Sequence, residues 1–167
     1  MALRILPLLT LSQQFLSRKP IVNQNYWSNF KIMPVTKLII SYLLTTLVFF
    51  AMDMLWLGLL AKNLYRKYLG SFLSDTINWT AAILFYLLFI VGIFFFSILP
   101  AYENNSLTKA IVTGALFGFF TYATYDLTNL ATLKNWPLPI VFIDIAWGML
   151  LTATVSTAGF YITKWVN

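Results

Sequence analysis

The sequence predicts an all-α integral membrane protein: a four-helix transmembrane bundle with a short interfacial amphipathic helix after the first span. Two observations predict the class. The chain is 60% hydrophobic and only 10% charged, with a mean hydropathy of +0.78, well outside the usual makeup of a soluble domain. Its apolar residues also gather into four runs, each long enough at about 1.5 Å per residue to cross a hydrocarbon core of roughly 30 Å. A third feature bounds the chemistry. Cysteine and histidine are absent, which removes disulfides, thiolate chemistry, histidine acid-base work and the usual zinc, haem and iron-sulfur ligands. Oxygen ligands, carboxyls, tyrosines and tryptophans remain. The formal charge of +6 does not point to nucleic acid, because the basic residues stand singly or in twos between apolar runs, as interface anchors do.

Residues 1–33 read as an N-terminal extension. Arg4, Arg18, Lys19 and Lys31 occur there without any acid, so it is either a targeting segment or the product of a misplaced start, with translation beginning at Met33. The single four-span membrane domain then covers 34–167. Its first span runs over about 38–61 and contains one charge, Asp53. Lys62, Arg66 and Lys67 follow, with Leu64, Tyr68 and Phe72 at spacing four beside Tyr65, Leu69 and Leu73. That pattern predicts an amphipathic helix in the interface, ended by Gly70 or Asp75. The second span, about 78–99, has no charge and reads as lipid-facing scaffold. Pro100 and Glu103 to Ser106 predict a turn. The third span, about 107–132, carries Gly114 and Gly118, a small-residue pair for helix packing, on an i+4 row that continues through Tyr122 to Asp126. Lys134, Trp136, Pro137 and Pro139 predict a tight interfacial turn, and the fourth span, about 138–162, carries Asp144. Four spans place both termini on one side. The Lys and Arg count nearly ties, and the orientation taken is termini in the cytoplasm.

Asp53, Asp126 and Asp144 are the chemical centre of this reading. Asp53 and Asp126 stand about eight and six residues before the ends of their spans and Asp144 about six after the start of its own, which places all three roughly 9 to 12 Å below one interface. No Lys or Arg is embedded with them, so their charge calls for protons, a bound hard cation, water, or Lys62 and Lys134 reaching down. Tyr122 and Asn129 share the stretch that holds Asp126. Trp56 and Trp147 each follow an acid by three residues, so their indole N–H groups are candidate donors to the acids, as is the Thr46 hydroxyl on the face of Asp53. Hydroxyls, indoles and carboxyls also join helices with no turnover or transport, and a tryptophan is commonly an interfacial anchor.

The runs Asp53 to Gly58, Tyr122 to Thr132, Trp136-Pro137 and Asp144 to Gly148 resemble a bacterial family of small predicted membrane proteins classed as domain of unknown function 2177. The likeness covers roughly Val35 to Trp165. It implies the architecture and a bacterial inner (cytoplasmic) membrane location, and brings no established activity.

Three functions stay open. The first is a small carrier or channel, a homo-oligomer docking through the Gly114 and Gly118 face, in which the three aspartates bind protons or a hard cation while Tyr122 and Asn129 add ligands. The second is a structural subunit, its acids held in a hydrogen-bond network or paired with a basic residue of a membrane partner. The third is an enzyme of lipid head groups, with carboxylates on Mg²⁺ or Mn²⁺ and Lys62, Arg66, Lys67 and Lys134 attracting a phosphate. The acids are single residues on separate helices and no catalytic signature occurs, so transport coupled to protons or cations is the expectation taken forward.

Overall fold

A computed structural model describes residues 33–74 and 76–167. The leader up to Ile32, and the suggestion that Asp75 ends the connector, lie outside the described residues. All regular structure among them is helical. Helix α1 is Val35–Leu55 and continues through a π-helical turn, Trp56–Leu60; α2 is Lys62–Leu69; α3 is Trp79–Ile93 and continues through a second π turn, Phe94–Ile98, into α4, Leu99–Glu103; α5 is Leu107–Thr132 and α6 is Leu138–Val166.

Local chemistry sets these boundaries. The Asn78 carboxamide oxygen accepts from the Ala81 N–H at 3.1 Å and the Ser106 hydroxyl from the Lys109 N–H at 3.2 Å, so α3 and α5 each start on a side-chain cap. Asn105 and Asn135, with φ of 47° and 60°, turn the chain before α5 and before α6; asparagine tolerates this left-handed conformation better than most residues. The connector ends at Leu69, with Gly70 following, as the first of its two candidate stops required. The reversal expected over Glu103 to Ser106 is present, but Pro100 takes no part in it. Pro100 lies inside α4, and the reversal falls at Asn104 and Asn105. The π turn explains this, since Leu99 N–H bonds to the Phe94 carbonyl five residues back, and the shifted ladder takes in a residue that has no N–H of its own.

Among the described residues three stretches, Val35–Leu60, Trp79–Glu103 and Leu138–Val166, are long and apolar enough to cross a membrane. The helix expected over 107–132 is present and as long as these, but Thr, Tyr, Gly, Asp and Asn dilute its hydropathy, and it pairs closely with α6 along its length. The core is built from Phe49 on α1, Ile90 and Ile93 on α3, Ile98 in the second π turn, and Leu151 and Val155 on α6. Large apolar side chains also point outward: Leu47, Leu88, Phe96 and Leu150 are each more than half exposed. In water such a surface would aggregate; in a bilayer it is solvated by lipid. The protein is an integral membrane protein and sits in a lipid bilayer.

The ends are tied. Lys37 Nζ donates to the Asn167 carbonyl oxygen at 3.4 Å, and Lys164 Nζ to the Asn105 side-chain oxygen at 2.9 Å. The start of α1, the end of α6 and the turn before α5 therefore meet at one end of the bundle.

Candidate functional site

The site grows from three rows of residues spaced by four, each ending in a buried aspartate. On α5 the row is Gly114, Gly118, Tyr122 and Asp126. Antiparallel to it on α6 run Ser156, Thr152, Gly148 and Asp144. A Cβ on Gly118 would collide with the Gly148 carbonyl and the Thr152 hydroxyl, and one on Gly148 with the Tyr122 ring. The missing side chains let the helices close until the Thr152 hydroxyl donates to the Gly114 carbonyl at 2.7 Å. Gly114 and Gly118 both face α6 of the same chain. Their expected availability as an oligomer surface is not met, because α6 covers that face and Gly114 and Gly118 are buried. The third row, Ser41, Thr45, Phe49 and Asp53 on α1, is buried throughout.

The carboxyls differ in what holds them. Asp53, 5% exposed, accepts a hydrogen bond from the Tyr86 hydroxyl of α3 at 2.7 Å. Asp144, 6% exposed, accepts from the Tyr65 hydroxyl of α2 at 2.5 Å, and Tyr65 in turn accepts from Trp56 Nε1 at 3.2 Å. Asp126 is fully buried and neither of its oxygens has a hydrogen-bond partner. The Trp136 indole lies beside it, yet Nε1 is also buried without a partner. Even a closed contact would bring one N–H to two oxygens. No lysine or arginine among the described residues acts on the three acids, and Lys62 and Lys134 are exposed.

Several expected donors are replaced. Thr46 donates to the Tyr42 carbonyl of its own helix at 2.8 Å, so its hydroxyl is spent on backbone and does not serve Asp53. Trp56 reaches Asp144 through Tyr65 instead of bonding Asp53, and its ring stacks on Trp147 with centroids 4.3 Å apart and planes within 6°. Reading Trp56 as an interfacial anchor therefore misses its main contact. The second span is not mere scaffold, since Tyr86 belongs to it. Tyr65, Tyr86 and Trp136 are site residues that the sequence reading passed over. Signals for two existed: Tyr86 is the one tyrosine within the apolar run of α3, and Tyr65 lies on the connector among its apolar positions. Burial, and next the hydrogen bond to Asp144, hold the Tyr65 phenol above its ordinary range.

Tyr122 stands amid the three carboxyls, near enough for each to act on it electrostatically. Asn129 neighbours the Tyr125 hydroxyl and contributes to no carboxyl. Among the described residues no three acidic side chains converge closely enough to ligate one metal ion, so a shared Mg²⁺ or Mn²⁺ on the aspartates has no support in the geometry. Beside Tyr122 opens a cavity of about 860 Å³, walled by Phe85 and Phe89 of α3, Phe96 of the π turn and Phe117 and Phe120 of α5, with Asp144 on its lining. The Phe94–Ile98 turn packs on α5, while α3 itself touches α5 little, which leaves the gap.

The family model described as predicted membrane protein (DUF2177) matches residues 38–161. No curated protein matches the chain, and no solved structure matches it.

Proposed function

The chain belongs to the DUF2177 family of predicted membrane proteins, and from that premise we propose that it is a multi-pass protein, in the bacterial cytoplasmic membrane that the family resemblance implies, whose three aspartates carry protons for a coupled transport step. In this reading α5 crosses beside α6 as a fourth span. Its Gly114 to Asp126 row is turned onto α6, which shields Asp126 from lipid, while the outward Thr124 and Thr128 spend their hydroxyls on backbone carbonyls of their own helix.

One observation carries the proposal: the Asp126 carboxyl is fully buried and, among the described residues, neither oxygen is bonded and no basic side chain acts on it. A group in that position is costly unless a cation neutralises it. The proton fits where a ligated metal does not, since it needs a single oxygen. The Tyr122 hydroxyl, among the carboxyls, is then the group through which a proton can pass from acid to acid, while Tyr86 on Asp53 and Tyr65 on Asp144 hold those carboxyls in place.

The test is proton flux into proteoliposomes under an imposed pH gradient, comparing the native chain with Asp126→Asn at equal incorporation. Native protein is expected to move protons or exchange them for a second solute, and the variant to lose that movement while retaining its helical spectrum. Equal flux in the two proteins overturns the proposal.

A further inference from the structure

We propose that the aromatic cavity between α3 and α5 binds a lipophilic amine, an apolar body bearing one ammonium head, which enters from the bilayer and sets its head against Asp144 and Tyr122. The proposal names the substrate class of the carboxylate site described above and rests on that reading for the coupling step, in which ammonium and proton alternate on the same acid.

Size and lining come first. A volume of about 860 Å³ lies within the range of small-molecule sites, roughly 300 to 1,000 Å³. Five phenylalanines form most of the wall, so the body of the occupant is apolar. Access comes second. Phe96, Phe120 and Tyr125, on the rim, are 61%, 62% and 57% exposed on the outer faces of their helices, so the cavity opens sideways into the region that lipid occupies and a membrane-dissolved compound can reach it.

Charge decides the head group. Asp144 is the lining carboxylate, and no Lys or Arg lines the cavity. Phosphate or carboxylate heads would meet like charge at close range. A neutral alcohol could donate one hydrogen bond and would leave the carboxylate charge without a counter-ion. Asp144 is 6% exposed and only one of its oxygens is engaged, by Tyr65; the other has no partner among the described residues. An ammonium supplies up to three donors and the missing charge.

The test uses the purified full chain in phosphatidylcholine nanodiscs and a dodecylammonium probe carrying a diazirine at its far end, photolysed and mapped by mass spectrometry. Labels are expected within Phe85 to Phe96 and Phe117 to Tyr125. Unlabelled dodecylammonium should compete at least about tenfold better than dodecanol or dodecanoate, the scale of a charge-assisted hydrogen bond. Asp144→Asn should weaken labelling by a similar factor, and Thr121→Trp, which fills the cavity and leaves every carboxyl in place, should abolish it. Equal competition by dodecanol, label spread over the outer faces of all helices, or full labelling in the Thr121→Trp protein overturns the inference. Cavity labelling without proton flux defeats the transport reading alone; proton flux without cavity labelling defeats the amine site alone.

Discussion

Replacing Gly118 by alanine adds one methyl group at the tightest point of the α5–α6 contact. The new Cβ would meet the Gly148 carbonyl, a backbone group, and the Thr152 hydroxyl. Neither has a cheap escape, because Gly148 lies mid-helix and Thr152 is held by bonds to the Gly114 and Gly148 carbonyls at 2.7 and 2.6 Å. Overpacking of this kind costs about 1–3 kcal/mol. Loss of the interhelical Thr152 bond adds about 0.6 kcal/mol. Alanine's better helix propensity returns up to about 1 kcal/mol. The net expectation is a loss of about 1–3 kcal/mol, a fall of about 2–12 °C in melting temperature for a chain of this length. Gly58→Ala is the matched control: a Cβ there meets nothing within 4 Å, so the same chemical change should leave the melting temperature level or raise it slightly. Thermal unfolding of both variants in detergent, followed by circular dichroism, reads the difference. If Gly118→Ala melts at or above the native temperature, the close approach of α5 to α6 is wrong, and with it the convergence of Asp126 and Asp144.

Asp126→Leu should raise stability by about 1–3 kcal/mol, since it removes a buried polar group with no partner, while abolishing proton movement; a melt lower than native would show that Asp126 is in fact bonded. Tyr86→Phe takes away the donor to Asp53 and should cost about 1–3 kcal/mol in the same assay, and an unchanged melt would refute the Tyr86–Asp53 bond. Tyr65 gives a pH dependence. Unfolded, its phenol releases its proton near the ordinary value of 10.0; folded, burial and Asp144 hold the proton higher, so the native state binds more protons above that pH and its stability falls as pH rises from about 10. In Tyr65→Phe this share of the decline is absent, so the stability gap between native and variant should narrow over pH 9 to 11, and a constant gap would refute the assignment.

The i+4 row from Gly114 to Asp126 was legible because a small residue repeated every fourth position has one geometric meaning in a helix. Its partner row, Asp144 to Ser156, follows the same rule and was overlooked because Thr and Ser are less conspicuous than Gly. Thr46 shows the limit of periodicity: seven residues from Asp53 is close to two helical turns, yet the hydroxyl bonds backbone four residues away, a local choice that spacing does not report. Trp56 shows another limit of spacing: it stands three residues after Asp53, yet its ring packs on Trp147 of a distant helix, a contact that only tertiary packing sets.

The sequence by itself determined what kind of solvent the chain requires, where its long helices lie and which acids are costly, because each depends on composition and helical repeat along one dimension. Only the tertiary structure decided which hydroxyl meets which carboxyl, that Trp56 and Trp147 stack, that Asp126 is left without a partner and that a cavity opens beside Tyr122. Those are contacts between residues far apart in the chain, 33 and 79 positions for the two hydroxyl–carboxyl bonds, and they follow from how the helices rotate and cross, which is set by packing of all the side chains at once.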